Sequence, residues 1–267
     1  MSQSLFDATC QARDALYASF GQVDPDVIGH IINPAFMGGP SWPALRQAFS
    51  VVRRGSHTLV ISNGLSDPFD DSEAPNAGFG IEIYAETQAP LAGAVTDSPV
   101  FKLVHAVAQQ AAHSGQVAQF VKTHGVVTME LFADEMGLED YQNEAGMVGV
   151  MIGVDHPEIP KTVEFPGGEV VLASVQLLTA EELHYVSQAR AAGRKALHDK
   201  LKSSGQYHYV APGRPSLVTA EALAALEAAA GSSAAAGGAP APAPTAATGS
   251  ATDGASRSET KPWWKFW

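Results

Sequence analysis

Gly64–Leu65–Ser66–Asp67 follows a β-branched run, His57–Ser62, and is the first place where chemistry could sit. A serine between a strand and a turn is half of a nucleophile elbow, the device that exposes Oγ for acyl transfer. The elbow needs glycine at its fifth position and a helix behind it. Here Pro68 and an acidic loop follow, so the segment reads as a turn after a strand. His156–Pro157–Glu158 is the opening of a zinc-deaminase signature, whose metal also requires a P-C-x-x-C pair. Cys10 is the chain's single cysteine, so the signature cannot be completed and the motif reads as a turn between strands. The nine histidines show no metal-ligand spacing, and there is neither a phosphate-binding P-loop nor a G-x-G-x-x-G. Asp67, Asp70, Asp71 and Glu73 cluster as Ca²⁺ ligands would, but without the closing bidentate glutamate of a calcium loop. They read as a solvated loop or as a docking surface for a basic partner. These residues imply no catalytic set, no cofactor and no metal, and the expectation is a non-enzymatic protein.

The elements that must position these residues follow from periodicity. Leu5–Phe20 repeats apolar side chains at helical spacing and stops at Gly21. Asp24–Pro25–Asp26 opens a turn or short helix through Ile28, Ile31 and Ile32, and residues 34–40 form a loop. Ser41 reads as the N-cap of a helix carrying Ala44, Leu45 and Phe49 on one face. His57–Ser62 is a buried strand. Phe79–Glu86 alternates with period two, which turns Glu82, Tyr84 and Glu86 away from Phe79, Ile81, Ile83 and Ala85 toward water or a partner. Gly78–Phe79–Gly80 marks a close backbone approach or bulge at its start. Ser98–Pro99 begins a helix with the stripe Phe101, Val104, Ala108 and Ala111, ending near Gly115. Val117–Lys122 is a helix or strand. Val126–Met129, Gly146–Val154 and Glu169–Leu178 are strands, and Thr179 with Glu182 forms a capping box for a helix reaching about Lys202.

Charge and composition narrow the partners. The net charge is −12, and residues 67–186 hold nineteen acids against three bases, a balance of −16. Such a surface repels phosphate backbones, which disfavours nucleic acid and suits a basic protein. One cysteine precludes an internal disulfide and fits a reducing, cytoplasmic setting. No run approaches the roughly 18 apolar residues of a membrane span. From about Gly231 to Thr260 the chain is Ala, Gly, Pro, Ser and Thr, too poor in apolar surface to offset its ordering entropy. It ends in Lys261–Pro262–Trp263–Trp264–Lys265–Phe266–Trp267, which suits a short motif for a protein groove, weak contact with a membrane surface, or docking on the chain's own domain.

Asn63–Gly64–Leu65–Ser66–Asp67, a short acidic loop, and then Gly78–Phe79–Gly80–Ile81–Glu82–Ile83 together resemble the Suppressor of fused family. That family carries a G-L-S-D-like turn, a variable loop and G-F-G-x-E-L/I. Val171–Leu183 is similar to its later strand and T-x-E-E-L helix start. The resemblance spans roughly residues 30–200. It departs at Glu86, where the family commonly has a base, and the second domain of animal members has no counterpart. The resemblance implies a mixed α/β domain that binds proteins. Animal members hold a transcription factor in the cytoplasm, and bacterial relatives include toxin-neutralising immunity proteins.

The resulting expectation is a mixed α+β fold with a central antiparallel or mixed sheet flanked by helices. Residues 1–212 form the domain of this bacterial-type family, 213–230 an Ala-rich helix, 231–260 a disordered linker and 261–267 an aromatic–basic motif. The expected protein-binding residues are Asp67, Phe69, Asp70, Asp71, Glu73, Glu82, Tyr84, Glu86, Trp263, Trp264, Phe266 and Trp267. The expected function is an immunity-type or regulatory binding protein. The alternatives are a scaffold working through its Trp-rich end and an enzyme with an unrecognised site.

Overall fold

The structure, a computed structural model, describes residues 3–72, 74–91, 93–133, 136–205 and 208–225. The chain divides into two units, residues 1–219 and 220–267. In the second unit residues 220–225 are helical. The expectations for residues 226–267, the linker and terminal motif included, lie outside the described residues.

The first unit is built on a mixed nine-stranded sheet among the described residues, with strand order β1-β3-β4-β5-β9-β7-β6; β2 pairs with β3, and β8 with β9. Its strands are β1 (Gln22–Val23), β2 (Ile28–Gly29), β3 (Ala48–Arg54), β4 (His57–Asn63), β5 (Ile81–Thr87), β6 (Val127–Phe132), β7 (Met147–Ile152), β8 (Thr162–Phe165) and β9 (Gly168–Leu177). The helices are α1 (Gln3–Phe20), α2 (Pro99–Ser114), α3 (Val117–His124) and α4 (Ala180–Ser203). The mixed α+β class expected from the sequence is the one observed.

β9 holds the sheet together. Its first half runs parallel to β5, with Ile81 opposite Val171, and its last residues run antiparallel to β7, with Val150 opposite Leu177. That position explains why every residue from Val170 to Leu177 is buried, the polar Ser174 and Gln176 included, since both faces are covered. α2 lies against β4 and β5, and α1 lies against β3 and β8. The α1 face of the sheet packs Tyr17 with Leu59, Ile61, Tyr84, Phe165, Val170 and Leu172.

Caps appear where side-chain chemistry required them. Ser98 Oγ accepts the Phe101 N–H at the start of α2, and Gly115 at φ 65° ends it. Thr179 and Glu182 form the reciprocal capping box of α4, which kinks at Arg190 (φ 51°).

Two local readings are corrected. Ser41–Phe49 is not a helix: a turn containing buried Trp42 leads into β3, whose pairing with β4 closes through Gly55–Ser56. Gly55 at φ 64° supplies the left-handed first residue that a two-residue hairpin turn favours. The hairpin buries five consecutive β3 residues, which a single exposed-face helix could not do. Ile31 and Ile32 do not form the inner face of a short helix either. They follow the two-residue strand β2 and stand exposed.

Candidate functional site

β5 decides where the expected site residues go. All seven of its residues are buried, because α2 covers one face and α1 reaches the other. Glu82, Tyr84 and Glu86 therefore do not meet water or a partner. This corrects the two-faced reading of the strand: alternation separates the faces of a strand, but a helix folded over the polar face buries it too.

Burial of Glu82 is matched by donors. Its Oε1 accepts from the Gly64 N–H at 3.2 Å, the Ser66 N–H at 3.0 Å and Ser66 Oγ at 2.6 Å. Its Oε2 accepts from Ser62 Oγ, which in turn accepts the Ile83 N–H at 2.8 Å. One carboxylate thus ties the turn after β4 to β5. Arg13 arrives from α1 with its side chain fully buried, 2.7 Å from Asp67 and 3.5 Å from Glu82. It also donates to Ser66 Oγ at 3.1 Å. Asp67 receives a second guanidinium, Arg46 Nε at 3.1 Å, while Arg46 Nη2 donates to Asn63 Oδ1 at 2.8 Å. Burial works against the Arg13 charge, but Glu82 and Asp67 outweigh it and raise its pKa. Burial in turn lifts the Glu82 pKa, opposed by Arg13 and the two serines.

The glycines of this turn are required by contact as well as by torsion. Gly78 sits at φ 57°, and a Cβ there would lie 2.2 Å from the Asp67 carbonyl oxygen and 2.6 Å from that of Leu65. Gly64 would bring a Cβ to 2.3 Å from the Arg46 carbonyl oxygen. The expected close backbone approach at Gly78–Phe79–Gly80 is present. Ser66 Oγ faces a carboxylate and a guanidinium rather than an imidazole, so this arrangement does not activate it as a nucleophile.

A second polar group gathers at the far end of the same face. Glu86 closes β5, His156 lies between β7 and β8, and His208 follows α4; their ligand-type atoms lie within 4.8 Å of one another. Three such groups could hold a metal by proximity, and spacing in the sequence gave no sign of it because the segments are 70 and 52 residues apart. The hydrogen bonds argue otherwise. His156 Nδ1 accepts the N–H groups of Glu158 and Ile159, each at 3.0 Å. The proton therefore sits on Nε2 and is donated to Glu86 Oε2 at 2.8 Å. A metal-bound histidine keeps its proton on the nitrogen that faces away from the ion, where it donates outward. His156 has the reverse arrangement. Arg54 Nε, 3.4 Å from Glu86 Oε1, adds a positive charge that a cation would have to oppose. Burial would raise the Glu86 pKa, but the His156 hydrogen bond and Arg54 bring it below the usual value. Burial, reinforced by His156, lowers the His208 pKa to about 4.

The remaining expected residues divide as follows. Asp67 is buried between Arg13 and Arg46 and is not part of an acidic surface. Phe69 is half-buried, edge-on to Phe79 with ring centroids 5.2 Å apart. Asp70 and Asp71 are exposed. Glu73, Trp263, Trp264, Phe266 and Trp267 lie outside the described residues. A surface that the sequence reading missed runs from Val27 to Leu45. Val27, Ile31, Ile32, Phe36, Met37 and Leu45 are all exposed, Ile31 completely. Its warning lay in three nearby positions, Ile31, Ile32 and Phe36, that fit no inward-facing period.

Comparison with known proteins agrees with the geometry. The family model described as Suppressor of fused protein (SUFU) matches residues 47–215. A chain in a crystal structure of a Sufu–Fu complex is similar, with a TM-score of 0.55 and 16% identity, covering 83% of this chain and 96% of that one. The crystal structure of Drosophila Suppressor of Fused gives a TM-score of 0.52 and 15% identity, and this chain spans 54% of its length. No curated protein matches in sequence.

Proposed function

From the premise that this chain belongs to the Suppressor of fused family, a family of protein-binding regulatory domains, we propose that it captures a protein partner in an immunity-type role, without catalysis. The observation that carries this reading is the run of exposed large apolar side chains from Val27 to Leu45. Large apolar side chains left exposed within one short stretch of a folded domain are costly in water and mark a surface that another macromolecule covers. Phe36 and Met37, 74% and 76% exposed, are the side chains best placed to fill a partner's pocket.

Charge supports a basic partner. Asp67, Glu82, Glu86 and Glu182 are neutralised inside the fold, yet Asp70, Asp71, Asp97, Glu130, Glu139, Asp140, Glu144, Glu164 and Glu181 remain exposed. Asp70 and Asp71 with Phe69 are the part of the expected acidic loop that can meet such a partner. Among the described residues no helix is long and apolar enough to cross a membrane.

The test is capture of the partner by the full chain in its own cells, compared with an I31K/F36E variant. Both positions are exposed, so the unfolding midpoint stays the same while capture is lost. A partner retained equally by the variant refutes the surface. D70K/D71K weakens capture and removes its salt dependence. A complex formed equally well at low salt and in roughly 1 M salt, where screening is nearly complete over 3 Å, rules out the basic-partner reading.

A further inference from the structure

We propose that His30 and His105 form a two-histidine site for a late divalent transition-metal ion, of which Zn²⁺ is the working example, clipping the segment after β2 to α2. The two Nε2 atoms face each other at 3.2 Å. Two Zn–N bonds of about 2.0–2.1 Å at a tetrahedral angle hold their nitrogens about 3.3 Å apart. The spacing of the two nitrogens is therefore already the one such an ion needs.

The hydrogen bonds give His105 the tautomer a metal needs. Gln47 uses its amide N–H groups on Pro40 O at 2.8 Å and Asn33 Oδ1 at 3.3 Å, which leaves Gln47 Oε1 as an acceptor. Gln109 Nε2 donates to that oxygen at 2.8 Å, and its second proton points at His105 Nε2, 3.2 Å away. His105 Nε2 is consequently the unprotonated nitrogen and the ring proton lies on Nδ1; its one lone pair is shared between Gln109 Nε2 and His30 Nε2, each 3.2 Å away, so an ion enters as Gln109 turns its N–H aside. This is the opposite of His156, whose Nε2 is occupied by the proton given to Glu86. Burial, together with His30, lowers the His105 pKa to about 4, so the ring is neutral at physiological pH. Burial lowers that of His30 as well.

The surroundings hold the rings in place. His105 stacks on Phe101 with centroids 6.0 Å apart and tilts against Phe49 at 5.6 Å. The Gln109 Oε1 atom is buried and accepts no hydrogen bond. A χ rotation of Gln109 offers that oxygen to the ion, and His30, being exposed, leaves room for water in the other positions. Imidazole nitrogen with oxygen donors suits Zn²⁺, Ni²⁺ and Cu²⁺ rather than Mg²⁺ or Ca²⁺. The ion would tie β2, which is held to the sheet by only two residue pairs, to a helix packed on β4 and β5.

The experiment adds Zn²⁺ alone to the full chain and follows imidazole ¹⁵N shifts with an affinity measured by chelator competition. The Nε2 resonances of His30 and His105 shift together and saturate at one equivalent, and the unfolding midpoint rises. Loss of an outer hydrogen bond to a metal ligand already costs about 10–100-fold in affinity, so His30→Ala weakens binding by at least about tenfold. His30 is exposed and its removal leaves the fold intact, whereas His105→Ala is the buried counterpart. His184→Asn, an exposed histidine elsewhere, and His156→Asn leave this site unchanged. Equal Zn²⁺ affinity in wild type and His30→Ala, or Zn²⁺ shifts confined to His156 and His208, overturns the assignment.

Discussion

Replacing Arg13 by methionine isolates the electrostatics of the G-L-S-D turn. Methionine keeps most of the apolar stem and removes the guanidinium that lies 2.7 Å from Asp67 and 3.5 Å from Glu82. Asp67 retains Arg46, so the charge left without a cation is Glu82. Breaking a buried pair by removing one member costs about 3–5 kcal/mol. The fold can limit the loss by protonating Glu82, and that gives the variant a signature in pH. Burial already places the folded pKa of Glu82 above its ordinary value of 4.5, and without Arg13 it rises further. The folded variant then holds a proton that the unfolded chain releases, so its stability falls as pH rises from about 4.5 to the new folded pKa. Each pH unit in that window is worth about 1.4 kcal/mol, so between pH 5 and 7 the Arg13→Met penalty grows by up to about 2.7 kcal/mol. Urea unfolding of wild type, R13M, E82Q and R13M/E82Q at both pH values measures it. The double variant is less destabilised than the sum of the two single variants, and its pH dependence returns to that of E82Q. A penalty below about 1 kcal/mol, no growth with pH, or strict additivity would refute the reasoning.

Two further perturbations follow. Gly78→Ala places a Cβ 2.2 Å from the Asp67 carbonyl oxygen at a left-handed φ; strain of about 1–3 kcal/mol plus the clash lowers stability by at least about 2 kcal/mol in urea titration, and a neutral result would mean that the turn rearranges freely. His208, held near pKa 4 among His156, Glu86, Arg54 and Glu158, is neutral in the fold. Its contribution is complete above about pH 6.5 and is lost as pH falls toward 4, a ceiling of about 3 kcal/mol; His208→Phe flattens the stability profile in that window, and an unchanged profile between pH 4 and 6.5 contradicts it.

Much of the fold was legible because its signals are local. α1, α2, the strand after Gly55 and the capping box at Thr179 each carry their periodicity or cap within a few residues. β3 was misread because Ala44, Leu45 and Phe49 imitate helical spacing, while the feature that decides the outcome, pairing of Phe49 with Ser62 across a hairpin, is a tertiary one. β8 is only four residues long and half exposed, so its pattern is too short to separate from a loop. The site was less legible. Glu82 looks like a surface acid until Arg13 is known to lie over it, 69 residues away in sequence. His30 and His105 sit 75 residues apart and become a pair only through the fold.

The residues by which the family is recognised are thus engaged in building the domain. Gly64, Ser66, Asp67, Gly78 and Glu82 supply a left-handed turn, a close backbone crossing and the ion-paired lock between β4, β5 and α1. Substituting any of them would disturb the fold before it disturbed a partner. Family membership therefore follows from residues that cannot themselves choose the partner, and selectivity has to come from surfaces the motif leaves free. In this chain the surfaces proposed for that role are the exposed apolar run from Val27 to Leu45 and the acids beside Phe69. The first is attached to the core through Gln47 and Asn33, whose hydrogen bonds hold residues 33–47 against α2 by way of Gln109. A change in that run can retune what is bound while the lock beneath it, and hence the fold, stays as it is.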